Sequence, residues 1–195
     1  MPVVTALRAQ PRGCVAVELD AATWRTLPAE PVVRAGLRVG CELDRPTARS
    51  LARELRRFEA FTIAERSLRH RDLSSAALEA RLRRANVADA AGREAVEALE
   101  RAGVVDDRRF AFQRAQALAG RGYGDAAIRD DLERRGISGE LLEEALADLA
   151  SETDRARELV RRRGAIAKTA RFLAARGFGG DAVEAAMGAD FANSP

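Results

Sequence analysis

Lysine, histidine, tryptophan and tyrosine are almost missing from this chain; Lys168, His70, Trp24 and Tyr123 are the single examples of each. The one histidine lies in Arg69-His70-Arg71 at an expected helix end, where it is solvated and offers no base for acid–base chemistry. Cysteine is scarce too. Cys14 and Cys41 form no CxxC pair, so they fit small buried hydrophobes better than a disulfide or a metal site. No apolar run approaches the length of a membrane span. The first residues, Met-Pro-Val-Val-Thr, lack the basic segment and apolar core of a secretion signal, which points to the cytoplasm. Nucleophile elbows, P-loops and metal-ligand spacings do not occur. The expectation is a protein with no catalytic residues, no metal and no cofactor.

What is present is apolar residues and arginine in helical spacing. Among 195 residues, 47% are hydrophobic and 32% charged, the balance of a globular chain of one domain or two small ones. The net charge of +3 is unevenly spread. Residues 1–57 hold 10 basic and 6 acidic side chains (+4), residues 58–106 hold 8 and 9 (−1), residues 107–151 hold 7 and 9 (−2), and residues 152–195 hold 8 and 6 (+2). That suits weak nucleic-acid contact and argues against a dedicated high-affinity duplex binder.

The first 57 residues differ from the rest. Val3–Leu7 and Cys14–Leu19 are short β-branched runs around the turn signal Gln10-Pro11-Arg12-Gly13, and Thr23–Leu27 alternates like a third strand. A short helix is expected around Val32–Ala35. Pro46 then opens a helix over Thr47–Arg57, with Leu51 and Leu55 on one face.

From Phe58 onward the pattern is helical and repeats. Leu132-Glu133-Arg134-Arg135-Gly136-Ile137-Ser138-Gly139-Glu140 reads as a helix end, a sharp turn and a helix start. Gly136 can close the first helix in the left-handed conformation, and Ser138 can cap the second. Leu173-Ala174-Ala175-Arg176-Gly177-Phe178 matches this unit, and Leu82-Arg83-Arg84-Ala85-Asn86-Val87 matches its first half with Asn86 in the glycine's place. The leucines stand 50 and 41 residues apart. The fold class is thus mainly α, with tandem three-helix repeats forming an elongated, curved array behind a small β-rich N-terminal segment. The expected domains are 1–57, 58–106, 107–151 and a shortened 152–195, whose tail Ala189–Pro195 should fray.

Two features invite a functional reading. Gly120-Arg121-Gly122-Tyr123-Gly124 imitates a phosphate loop, but with no strand before it and no βαβ context it reads as a flexible helix–helix connection. The arginines near repeated helix ends are the second. Arg81 and Arg84 in the first repeat, Arg114, Arg121, Arg129, Arg134 and Arg135 in the second, and Arg161, Arg162, Arg163 and Arg171 in the third can complement helix dipoles. Stacked repeats could also align them into a basic stripe for an elongated anionic partner. Few aromatics accompany the stripe, so base stacking is weakly supported.

The order of these pieces resembles the RecX family of bacterial recombination regulators. The residues that carry the resemblance are Leu37-Arg38-Val39-Gly40, Ser74-x-x-x-Leu78-x-x-x-Leu82, Gly103-Val104-Val105-Asp106-Asp107-Arg108-Arg109-Phe110-Ala111, Gly124-x-x-x-Ile128-Arg129-x-x-Leu132-x-x-x-Gly136-Ile137 and Arg176-Gly177-Phe178. The resemblance spans nearly the whole chain. It implies a non-enzymatic, monomeric protein that binds in the groove of the RecA–DNA filament and suppresses filament growth, ATP hydrolysis and strand exchange. Where the family often has proline and two basic residues after the glycine, this chain has Asp125-Ala126-Ala127. It also carries about one extra helical turn around Asp89–Gly92. Direct DNA binding through the helix-turn-helix-like repeats is the other reading of the same arginines.

Overall fold

The computed structural model describes residues 1–191, with side chains through residue 188. It opens with an antiparallel sheet in the order β1-β2-β3, formed by β1 Val4–Gln10, β2 Cys14–Leu19 and β3 Ala22–Pro28. The β2–β3 turn places Asp20 and Ala21 at φ 49° and 65°, the left-handed pair that a two-residue hairpin needs. Two side-chain acceptors hold that turn: Asp20 Oδ1 accepts from Val3 N at 2.9 Å, and Thr5 Oγ1 accepts from Ala21 N at 2.9 Å. Helix α1, Ala29–Arg34, covers the sheet together with α2, Arg45–Leu68. Val4, Val17, Leu27, Val32, Leu37 and Leu51 form the core between them. Cys14 and Cys41 are free and only half-buried, with Cys41 packed at the edge of this core.

Helix α2 departs from the expected organisation. It runs 24 residues without a break, so the division expected between residues 57 and 58 falls inside one helix. Asp44 caps it by accepting from Thr47 N at 2.8 Å, and Pro46 sits in the first turn. Its N-terminal half buries Leu51 toward the sheet, whereas its C-terminal half buries Ala60, Ala64 and Ser67 and packs on α4. One continuous helix therefore serves both the N-terminal module and the first repeat.

The remaining helices are α3 Ser75–Arg84, α4 Asp89–Arg101, α5 Asp107–Gly120, α6 Asp125–Glu133, α7 Gly139–Ala147, α8 Glu152–Arg163, α9 Ala167–Ala175 and α10 Gly180–Phe191. Helix α4 has 13 residues against nine in α7, which is the extra turn expected near Asp89–Gly92. The frayed tail expected beyond Ala189 is not seen as far as Phe191, where α10 ends; the rest lies outside the described residues. Helices α5, α6 and α7 enclose Phe110, Ala111, Leu118, Ile128, Leu132, Ile137 and Leu142. Helices α8, α9 and α10 enclose Val160, Leu173, Phe178 and Ala186.

The chain forms two compact units. The first holds Met1–Arg71 and Leu78–Ala102; the second holds Asp72–Ala77 and Gly103–Pro195. The boundaries thus differ from the expected division into one segment and three repeats, because the start of α3 is bonded to the second repeat.

Candidate functional site

The repeated turns set the geometry on which any interaction surface here depends. Asn86, Gly136 and Gly177 take φ 59°, 81° and 80°. In each turn the next residue's N–H reaches back to the leucine carbonyl five positions earlier: Val87 to Leu82 at 3.1 Å, Ile137 to Leu132 at 3.0 Å and Phe178 to Leu173 at 3.1 Å. The turn residue's own N–H closes a second bond, to Arg83, Glu133 and Ala174 respectively. This double closure satisfies the last carbonyls of each helix, while the apolar residue that follows is buried. Ser138 occupies the capping position of α7, yet its side chain makes no capping bond.

Each turn in the second unit then docks on the start of an earlier helix. The Ser74 hydroxyl donates to the Arg135 carbonyl, and the Asp107 carboxylate accepts from Ser75 N at 2.7 Å and from the Ser75 hydroxyl at 2.6 Å. The same junction recurs one repeat later. Gly124 N donates to the Arg176 carbonyl at 2.9 Å, Ala126 N to the Gly177 carbonyl at 3.1 Å, and Glu152 accepts from Asp125 N at 2.6 Å and Gly179 N at 3.2 Å. Arg155 completes it, donating to the Tyr123 carbonyl at 2.7 Å, pairing with Asp125 and lying over the Phe178 ring. Burial pushes the Asp125 carboxyl up, outweighing the opposing pull of Arg155.

The glycine-rich segment is explained by this packing. Gly124 is buried where a Cβ would collide with the Gly177–Phe178 backbone, so the segment is a packed junction and not a flexible link. Arg176 stacks on Tyr123 and Phe172 and donates to the Arg121 carbonyl at 3.1 Å. Arg155 and Arg176 were absent from the expected stripe; the signal available for them was only their proximity to the repeated turn.

The stripe residues divide into three groups: paired with carboxylates, held by a neutral neighbour, and unpaired among the described residues. Asp131 holds Arg114 through two bonds, 2.8 and 3.0 Å, and Arg135 through two more, 2.9 and 3.3 Å. Those donors, Arg114 first, hold the Asp131 carboxyl far below the usual carboxylate range. Arg129 pairs with Glu143, Arg134 with Asp130, and both Arg161 and Arg162 with Glu158. Arg163 lies 4.0 Å from the centre of the Phe172 ring, and Arg81 donates to Ser67 Oγ at 2.6 Å. Arg84, Arg121 and Arg171 are exposed and make no ion pair among the described residues. The carboxylates thus neutralise much of the charge expected for a nucleic-acid stripe, which weakens the reading of the repeats as direct DNA binders. Arg81 and Arg84 belong to the first unit and the other nine to the second.

Among the described residues no cluster of three or more His, Cys, Asp or Glu is placed to hold a metal. No described helix is long and apolar enough to cross a membrane.

Three-helix repeats coupled by recurrent turn-to-helix junctions define a helical-repeat protein. The model of the RecX second three-helix domain matches residues 106–146, from the N-cap of α5 to the last turn of α7. A regulatory protein RecX from Xanthomonas oryzae pv. oryzae is 35% identical over 144 residues, covering 67% of this chain and 90% of the relative. Another from Trichlorobacter lovleyi is 31% identical over 140 residues, covering 64% and 91%. The chain belongs to the RecX family of regulatory proteins. A crystal structure of regulatory protein RecX superimposes with a TM-score of 0.77 at 18% identity, over 94% of this chain and 98% of that one. A RecX crystal structure from Lactobacillus salivarius gives 0.60 at 16% identity, over 69% and 96%.

Proposed function

We propose that this protein is a non-catalytic, monomeric, cytoplasmic regulator that seats in the groove of the RecA–DNA filament and suppresses filament growth, ATP hydrolysis and strand exchange. Membership of the RecX regulatory family is the observation that carries the reading. The junctions support it physically. Two successive copies of the same junction fix the orientation of neighbouring helices in the second unit, so a filament need not order them on binding, and less entropy is lost. Arg84, Arg121, Arg163 and Arg171, which have no carboxylate partner among the described residues, are the stripe members best placed to gain ion pairs from an acidic filament groove. No cofactor is needed, because blocking subunit addition requires only surface complementarity.

The test is RecA's DNA-dependent ATP turnover and strand exchange with the purified protein at stoichiometric amounts. Both should fall. Unchanged rates, with co-sedimentation on filaments no greater than on bare DNA, would overturn the reading.

A further inference from the structure

The N-terminal half of α2 carries a ridge of arginines that the fold does not use. Arg45, Arg49, Arg53 and Arg56 are all exposed and follow i, i+4, i+8, i+11 spacing. At about 100° per residue they lie within an arc of about 80°, and at about 1.5 Å rise they span about 16 Å of the helix. Arg45, Arg49 and Arg56 make no ion pair among the described residues. Arg53 has only a long 3.7 Å approach to Glu54 and remains 70% exposed. The other nearby carboxylates do not answer them. Asp44 is engaged in capping Thr47 N, Glu94 pairs with Arg57, and Glu59 makes no ion pair with Arg56.

This arrangement opposes what stabilises a helix. Like charges one turn apart repel, and positive residues at a helix N-terminus face the positive end of the dipole. The first turn of α2 contains no acidic residue, as in α3 and α9, whereas α4, α5, α6, α7 and α8 each carry at least one there. Arg129, Arg134, Arg161 and Arg162 in the second unit are all balanced by carboxylates; the α2 ridge is not. A solvated face explains exposure but not the missing acids. The i, i+4 spacing of about 6 Å along the axis is close to the separation of successive phosphates on an extended strand, so one guanidinium can meet each phosphate.

We propose that this ridge is a binding surface for the phosphate backbone of a nucleic acid, separate from the repeat arginines and independent of any recombinase. It has no aromatic flank among its own residues, so it grips charge without reading bases.

Fluorescence anisotropy of the full chain with a labelled single-stranded oligonucleotide, and with its duplex, tests this across a salt series. Four neutralised phosphates give a log–log salt slope of about −3 on single strands and about −3.5 on duplex. The variant R45Q/R49Q/R53Q/R56Q should lose that slope and bind more than tenfold more weakly at low salt. A control, R34Q/R69Q/R101Q/R157Q, removes the same charge from arginines paired with Glu30, Glu65, Glu97 and Asp154, and should bind as the parent does. Because the ridge repels itself, the ridge variant should unfold at an equal or higher urea concentration than the parent. Three outcomes overturn the proposal: no binding by the parent to either oligonucleotide, equal loss in the control, or a ridge variant that keeps bare-DNA affinity and loses only RecA-filament binding. That last pattern would mark an acidic protein surface as the occupant. The recombinase reading can fail on ATP turnover while bare-DNA binding persists, so the two failures are distinguishable.

Discussion

Gly136 and Ala76 occupy a space with room for one methyl group. A Cβ added to Gly136 would overlap the Ala76 Cβ, and Gly136 also stands at φ +81°, where an L side chain is strained. The glycine is therefore required twice, once by its own turn and once by the neighbouring repeat. G136A should destabilise the second unit by about 2–5 kcal/mol, combining the left-handed penalty with overpacking. Urea denaturation measures this. A76G combined with G136A should recover the overpacking share and leave the backbone share. A G136A protein as stable as the parent would contradict the junction.

Asn86 gives the matching test without a collision. At φ 59° it already tolerates the left-handed region better than most residues. N86G should be neutral or stabilising, and N86A should cost about 1 kcal/mol in urea denaturation. Equal destabilisation by both would mean that the side chain, and not the turn, matters.

The repeated turns were legible because Leu82, Leu132 and Leu173 recur with a left-handed-tolerant residue four positions later. Helix identities followed from apolar spacing for the same reason. The continuity of α2 was not legible. Its buried residues switch from Leu51 to Ala60, Ala64 and Ser67, so the apolar face changes direction and its later members are small. No glycine or proline lies between them to mark a true break. The junctions were hidden for a different reason: Ser74 meets a backbone carbonyl 61 residues away, and backbone groups leave no trace in composition. Pairings such as Arg129 with Glu143 depend on how α6 crosses α7, which fixes the charge balance of the stripe only after folding.

Asp131 makes the stability of the second unit depend on acid. Its folded carboxyl lies far below the usual range because Arg114 and Arg135 donate to the charged form. A depressed folded pKa gives stability that is present above the unfolded value of about 4 and lost as pH falls through the folded one. D131N should cost about 1.5–3 kcal/mol at neutral pH by removing charge-assisted bonds from a side chain only 14% exposed. Urea midpoints of parent and variant should keep a constant gap down to about pH 5 and converge below about pH 4. A gap that widens in acid would contradict the sign of this linkage.

Asp107 and Glu152 perform one task in successive junctions, so their removal should expose matching amides. Asp107 accepts from Ser75 N, and Glu152 accepts from Asp125 N, each at the first helical residue, where no intrahelical partner exists. D107A should weaken the junction at α3 by about 1.5–3 kcal/mol, since a charged acceptor is lost from a half-buried donor. Hydrogen exchange should quicken at the Ser75 amide in D107A and at the Asp125 amide in E152A, each leaving the other site protected. Crossed effects, with both amides loosened by either substitution, would mean that the two junctions open as one cooperative element. Unchanged exchange at both would show that neither carboxylate holds its repeat, and the coupling would then rest on the glycine contacts alone.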